Sequence, residues 1–541
     1  MSEPLLAFDA QAVLHWARLA TAGLRSERAR IDDLNVFPVA DSDTGTNLLL
    51  TFVDGATALE ERLAADSADA NTIGAGEALV TLARGALRGA RGSSGTILSQ
   101  ILLGFASEVV GLDTIHRADF ARALRKAADT AWEAVSTPVP GTILSVVRTA
   151  ADAATELEGS ASAIIARTVG AARTALIETE NQLSVLKAAG VVDAGGSGLV
   201  ILLEALLAAV KGQEELPARA SDGLPARRAI PDTPPVAPEL VPLTGPSDLH
   251  AHLYPDAHQV DGEFEVMFLV DDDSPNAGQI LRTRLQEIGS SVVVVGGAGL
   301  WHVHVHCDDV LAALTVTAAQ RRHQVTVHHL PTLVAREEGR DIGLVLCTRS
   351  PGLAAELARS GAVVVITQGD EPASQEQISR AIVDTAAAEV VVAAARASAL
   401  EAARELAALP GIAVRVIDQA GEAYLLAAAA VHQPVRSEDH DPIKAIVDAV
   451  TRVRTVSGDA YTVGQVQKFD DWLRGNLADA ELVTALVTSD EIAVTAEQAE
   501  ACVAARRNEL NHVSALCDDL GMELEVLYGG QETPPIIWSV E

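Results

Sequence analysis

The sequence predicts a multidomain protein: an all-α N-terminal domain, a small α+β middle domain, and an α/β C-terminal domain with a largely parallel sheet. Three observations carry this. Over residues 1–210, Ala, Leu and Arg recur at three- and four-residue spacing, as in "DAQAVLHWARLATAGLRSERARI", the period of a helix with an apolar face. Residues 217–246 hold eight prolines and follow neither a helical nor an alternating period, which is linker chemistry. Beyond them, β-branched runs alternate with helix-like stretches.

The elements follow in that order. Residues 1–210 form one helical domain, broken only by short glycine-rich segments, and 211–246 form the proline-rich linker. In the middle domain, 247–335, "FEVMFLVDDD" and "SSVVVVGGAGLWHVHVHCDD" read as strands, with "NAGQILRTRLQEIG" a helix between them. In the C-terminal domain, 340–541, "DIGLVLC", "GAVVVIT", "AEVVVAAA" and "IAVRVID" are apolar on both faces, as buried parallel strands are. Helices such as "SPGLAAELARS" and "SALEAARELAAL" alternate with them in a βαβ pattern. A final strand pair is expected around "LEVLYGGQETPPIIWSV".

Composition narrows the function. Of 541 residues, 48% are hydrophobic, enough for several cores and too many for a disordered chain. The formal net charge of −34 repels phosphate backbones and anionic lipid headgroups, so neither nucleic acid nor direct membrane insertion is expected. The opening "MSEPLLAFDAQAVLHWARLA" carries acids where a signal peptide carries a basic region. Cys307, Cys347, Cys502 and Cys517 are far apart, which reads as reduced thiols in a cytoplasmic protein.

Three glycine-rich breaks in the first domain each open a helix: "DSDTGTN", "RGARGSSGT" and "GVVDAGGSG". Helix N-termini present unpaired N–H groups and a positive dipole end, which suits phosphate. The paired aspartates Asp41 and Asp43 suit magnesium, commonly held by one or two carboxylates together with phosphate oxygens. The competing reading is capping, since Asp, Ser and Thr before a helix usually serve as caps worth roughly 1 kcal/mol each. Three such loops in one helical domain favour a metal–nucleotide site over three separate caps. The P-loop pattern G-x-x-x-x-G-K-[ST] is absent.

These stretches also carry a resemblance. "LNVFPVADSDTGTN", "GARGSSGTILSQ", "PVPGTILSVVR" and "GVVDAGGSGL" closely resemble, in order and spacing, the N-terminal kinase domain of bacterial fatty acid kinase. That domain is related to the nucleotide-binding L subunit of dihydroxyacetone kinase. The resemblance extends more loosely to the rest of the chain. It implies a closed helical barrel binding ATP at one end, with Asp41 and Asp43 as magnesium carboxylates. Asn35, Thr44, Thr46 and Asn47 would support metal and phosphates, and Ser93, Ser94 and Gly95 would form the phosphate loop. Thr142, Asp193 and Gly195 would lie around the nucleotide. Two positions depart from the family: Ser42 replaces a glycine, and Ser93 stands where asparagine is frequent. Serine at 42 requires a backbone that a non-glycine residue can adopt, or strain.

In "WHVHVHC", strand parity puts His302, His304 and His306 on one face. Imidazoles spaced two apart can ligate zinc or simply line a hydrogen-bonded strand face. The resemblance favours zinc at His304 and His306, because the family pairs a His-x-His with a cysteine from the preceding strand. Here Glu265 occupies that cysteine's position. In the βαβ region the family's polar segments are replaced by "TQGDEPASQ", "VAAARASA" and "DQAGEAYL", which keeps the strands and changes the surface that docks the partner protein.

The resemblance thus implies an ATP- and Mg2+-dependent phosphotransferase with possible Zn2+, acting as a homodimer. Its acceptor would be the carboxylate of a fatty acid presented by a fatty-acid-binding carrier protein, and its product an acyl phosphate. The alternatives are a small hydroxy-ketone or polyol kinase of the same fold and a non-catalytic nucleotide-binding scaffold.

Overall fold

The computed structural model describes residues 8–69, 73–155, 159–216, 262–334, 342–367, 372–406, 411–435, 441–457, 471–472, 475, 482–487, 507–520, 522–528 and 536–540. The proline-rich stretch expected at 217–246 lies outside the described residues. By internal contacts the chain divides into two units. One comprises 1–261, 271–286 and 290–304; the other comprises 262–270, 287–289 and 305–541.

The first unit is dominated by helices α1 (Ala10–Asp33), α2 (Thr44–Asp69), α3 (Ala75–Arg88), α4 (Gly92–Glu108), α5 (Arg117–Ala134), α6 (Ile143–Ala154), α7 (Ala161–Gln182), α8 (Ser184–Ala189) and α9 (Ala194–Val210). α1 begins where the Asp9 carboxylate accepts the Ala12 N–H at 2.9 Å, a side-chain cap. α8 stops at Gly190, which takes a left-handed φ of +65°. From α1 to α7 each helix packs on the next, and α9 packs on both α7 and α1, which closes the ring. α9 has an almost wholly apolar sequence, and every residue from Ala194 to Leu203 is buried. That suits a helix with neighbours on all sides, here α1, α2, α6 and α7.

Aromatics are few, and alanine and leucine are the commonest residues of this core. Phe52 is fully buried and meets Trp16 edge-on at 5.6 Å. An apolar cavity of about 120 Å³ remains, lined among others by Trp16, Leu98, Phe105, Phe120, Leu199 and Leu203. In an up-and-down ring alternate helices begin at the same end, so α2, α4, α6 and α9 share one end for their N-termini. The same unit holds most of β2 (Gly289–Gly297), whose Val293 and Val295 pack on Leu87 and Ala134. The Gly296 N–H donates to Gln100 Oε1 at 3.0 Å, and Arg282 Nε donates to the Ala134 carbonyl at 3.2 Å.

The remaining strands of the larger sheet are β1 (Phe264–Asp271), β3 (Leu300–Cys307), β4 (Arg322–His329), β5 (Ile342–Thr348), β6 (Val363–Ile366), β7 (Glu389–Ala394) and β8 (Ala413–Ala420). The order is β2-β3-β1-β4-β6-β5-β7-β8. β6, β5, β7 and β8 run parallel, as their apolar sequences predict. β4 pairs antiparallel with both β1 and β6, so strands assigned to the middle and C-terminal domains share one sheet.

A second sheet has the order β11-β10-β12-β9, from β9 (Arg454–Ser457), β10 (Leu482–Val487), β11 (Glu523–Tyr528) and β12 (Ile536–Val540). The two final strands form where expected but do not pair with each other. β10 lies between them, parallel to β11 and antiparallel to β12. The reason is burial: β10 is buried from Val483 to Val487, whereas β11 alternates between exposed and half-buried. The most apolar strand takes the interior position.

Cys307, Cys347 and Cys517 are buried free thiols, and Cys502 lies outside the described residues. No helix among the described residues is long and apolar enough to cross a membrane.

Candidate functional site

The shared end of the ring gathers the glycine-rich breaks. α2 starts directly after Asp43, and the Asn47 N–H donates to the Asp43 carbonyl at 2.8 Å. Asp41 and Asp43 are both half-buried, and Asn35 Nδ2 donates to Asp41 Oδ1 at 2.5 Å. The first turns of α2 and α4 touch: Thr44 Oγ1 and Ser94 Oγ share a hydrogen bond of 3.3 Å. At Gly92, φ is +55°, and a Cβ there would lie 2.4 Å from Asn47 Nδ2. Gly95 is equally confined, since its Cβ would meet Thr51 Oγ1 at 2.2 Å. Ser93 is half-buried in the same first turn.

α9 approaches from the other side. A Cβ on Gly198 would lie 2.3 Å from Leu48 of α2, and one on Gly195 would lie 3.3 Å from Ile143, the first residue of α6. Asp193 caps α9, accepting the Gly196 N–H at 2.6 Å. Thr142 precedes α6 but does not cap it; its hydroxyl donates to the Val139 carbonyl at 2.8 Å. α4 also begins without a side-chain cap. Of the glycine-rich breaks, the one before α9 follows the capping reading and the one before α4 does not. The Asp193 carboxylate also accepts the Ile143 N–H at the start of α6, while the N-cap residue of α4 offers its first turn no side-chain acceptor, which suits an anion there.

Four contributors were not singled out in the sequence. Asp32, buried at the end of α1, accepts the Thr46 N–H and the Thr46 hydroxyl, both at 2.9 Å. Burial raises its pKa, against the pull of the Thr46 hydrogen bonds and Arg28. Gly92 supplies the close approach to Asn47. Thr51 accepts the Arg91 N–H at 3.1 Å, and Arg91 Nη1 donates to Asp54 Oδ2 at 3.2 Å, which anchors the α4 loop on α2.

Two consequences are measurable. Ser42 has φ +54°, a left-handed backbone that costs a non-glycine residue about 1 kcal/mol. Ser42→Gly is expected to raise folding stability by about that amount in chemical unfolding. An unchanged midpoint would show that Ser42 stores no strain.

Asp193 is the second case. Burial raises its pKa to about 6, against the hydrogen bonds from the Gly196 and Ile143 N–H groups. A raised acid pKa means the folded state holds the proton more tightly than the unfolded chain. This contribution is complete below the ordinary 3.8 and is lost as pH rises through about 6. Asn keeps the capping oxygen without titrating. Asp193→Asn is therefore expected to remove a decline in stability on the order of 2 kcal/mol between about pH 4 and pH 7. Denaturant midpoints across that range test this, and a slope that persists in the variant assigns it to another group.

The second cluster lies in the larger sheet. Ligand atoms of Glu265, His304 and His306 all fall within 4.8 Å of one another. His304 is fully buried, His306 is 2% exposed and Glu265 is 8% exposed, so the strand face is dry rather than solvated. Burial lowers the His306 pKa, against the opposing pull of Glu265, and favours the neutral imidazole that binds metals. Two imidazoles and a carboxylate in a buried cluster fit zinc. His302 is also buried but is outside the cluster.

Two stretches of the chain match known protein families. Residues 38–208 match the DAK2 domain. Residues 261–334 match the FakA-like middle domain of fatty acid kinase. Protein YloV of Bacillus subtilis is 34% identical over 305 residues, which cover 54% of this chain and 51% of YloV. An uncharacterized protein of Staphylococcus saprophyticus is 42% identical over 186 residues, 34% of this chain and 32% of its own length. The chain thus spans about half or less of these relatives. The match to the DAK2 domain contains the α2, α4, α6 and α9 N-termini, and the middle-domain match contains Glu265, His304 and His306.

Proposed function

We propose that this chain is the kinase component of a two-protein system. It transfers the γ-phosphoryl of ATP to the carboxylate of a fatty acid presented by a separate fatty-acid-binding carrier, giving an acyl phosphate. The observation that carries the reading is the meeting of four helix N-termini beside Asp41 and Asp43, within a DAK2 domain joined to a FakA-like middle domain.

Asp41 and Asp43 would hold magnesium, with Asn35 fixing Asp41. The metal supplies charge neutralisation at the phosphates. The N–H groups at the start of α4, around Ser93, Ser94 and Gly95, take phosphate oxygens. Thr44, Thr46 and Asn47 hold the opposite wall, and Thr142, Asp193 and Gly195 border the nucleotide. A fatty-acid carboxylate, with a pKa of about 4–5, is already ionised near neutrality. It attacks the γ-phosphorus as the bond to the bridging oxygen breaks and ADP leaves, so no general base is required. The protein's task is to hold donor and acceptor in line.

The DAK2 match also supports a second reading, a small hydroxy-ketone as acceptor. ADP release separates the two when measured with free fatty acid, with carrier-bound fatty acid and with dihydroxyacetone. Release stimulated by the loaded carrier supports the first reading, and release with dihydroxyacetone alone supports the second.

Zinc at Glu265, His304 and His306 would be structural, and the active form would be a homodimer. The net charge of −34 favours a less acidic or basic docking face on the carrier. Carrier affinity is therefore expected to fall as salt rises, and a salt-independent affinity in a titration would rule out electrostatic docking.

A further inference from the structure

The Glu265 carboxylate has two oxygens with different neighbours. Oε1 lies 4.0 Å from His306 Nε2, on the side of the metal cluster. Oε2 is 2.8 Å from His328 Nδ1. His328 reaches it because β1 and β4 pair with Glu265 directly opposite His328, which puts both side chains on one face of the sheet. Both residues are buried, and His328 Nε2 has no hydrogen-bond partner among the described residues. The polar contact His328 makes with Glu265 is thus made through one ring nitrogen, Nδ1.

We propose that His328 is a positioning residue for a metal held by Glu265, His304 and His306. It engages one carboxylate oxygen and keeps the other turned toward the histidines. The inference rests on the metal reading of that cluster. A thiolate offers a single ligand atom and needs no such partner. A carboxylate can rotate its two oxygens and bind in one-oxygen or two-oxygen modes, so a hydrogen bond to the outer oxygen decides which it adopts. Where this chain has glutamate instead of cysteine, the cross-strand histidine supplies the orientation that glutamate lacks.

The test is metal affinity of the full-length protein, stripped with a chelator and titrated with zinc against a chromophoric competitor. Cobalt, titrated separately, reports coordination through its visible absorption. His328→Phe keeps the ring volume and removes the hydrogen bond; it is expected to weaken zinc binding about 10- to 100-fold. His328→Asn, whose amide N–H can replace Nδ1–H, is expected to stay within a few-fold of the parent and guards against a general packing effect. The deciding arm is the Glu265→Cys background, where His328→Phe is expected to change zinc affinity little. Equal weakening in both backgrounds, or no weakening in the parent background, overturns the proposal while the metal reading stands. A parent protein that binds neither zinc nor cobalt overturns both.

Discussion

Asp43→Ala is expected to reduce ATP-dependent turnover about a hundred- to a thousand-fold and to leave the fold intact. The Asp43 backbone carbonyl accepts the Asn47 N–H at 2.8 Å, and alanine keeps that bond. What is lost is a half-buried carboxylate at the start of α2, opposite the uncapped start of α4. On the proposed mechanism a magnesium ion would lose one of two carboxylate ligands, and the charge on the transferring phosphoryl group would be less well neutralised. Asp41→Ala should have a similar effect and also release the Asn35 amide. Steady-state kinetics with varied magnesium, beside a thermal melt, tests both. A variant that melts normally and turns over at the parent rate would move the metal away from this loop.

The second large effect is structural. A Cβ at Gly45 would lie 2.3 Å from the Arg28 carbonyl, 2.9 Å from Asp32 Oδ1 and 2.9 Å from Ile31 Cβ. The Arg28 carbonyl is backbone, the Ile31 Cβ is fixed to it, and Asp32 Oδ1 is held by the Thr46 N–H. Gly45→Ala must therefore lift the first turn of α2 off α1, at a cost of roughly 1–3 kcal/mol. The same movement pulls Thr46 from Asp32 and Thr44 from Ser94, so turnover should fall with stability. Gly55→Ala is the control. Its Cβ would meet the Leu82 carbonyl at 2.6 Å, further along α2 and away from the site. It should lower the unfolding midpoint comparably and leave magnesium–ATP affinity unchanged. Equal loss of ATP affinity in both variants would mean that the site senses global stability and not the seating of this turn.

What was legible in the sequence follows from which interactions are local. The 3.6-residue period of 1–210 and the apolar runs of β5, β6 and β7 report burial, and the helices and parallel strands formed where those patterns lie; β8, also read as a buried strand, lies at the sheet edge with only Ile417 buried. β4 escaped notice: "RHQVTVHH" has only two valines among polar side chains, and its position between β1 and β6 decides its burial. The pairing of β11 and β12 with β10 was likewise hidden, because nearness in sequence favours a hairpin and only the burial of β10 favours separation.

The candidate site divides in the same way. Asp41, Asp43, Thr44, Asn47, Ser94 and Gly95 stand in compact motifs where unusual composition signals a purpose. Asp32 sits in the charged end of an ordinary helix, "RIDDLN", and its bonds to Thr46 depend on how α1 meets α2. His328 lies opposite Glu265 only through a strand register that periodicity cannot fix.

The most direct test of the proposed activity is chemical capture of the product. The pure protein is incubated with magnesium, ATP and a fatty acid loaded on a fatty-acid-binding carrier, in the presence of hydroxylamine. An acyl phosphate is an activated acyl group and yields the acyl hydroxamate. The expected result is hydroxamate that requires magnesium and carrier and disappears in Asp43→Ala. ADP release without hydroxamate, or hydroxamate that survives Asp43→Ala, would contradict phosphoryl transfer to a carboxylate at this site.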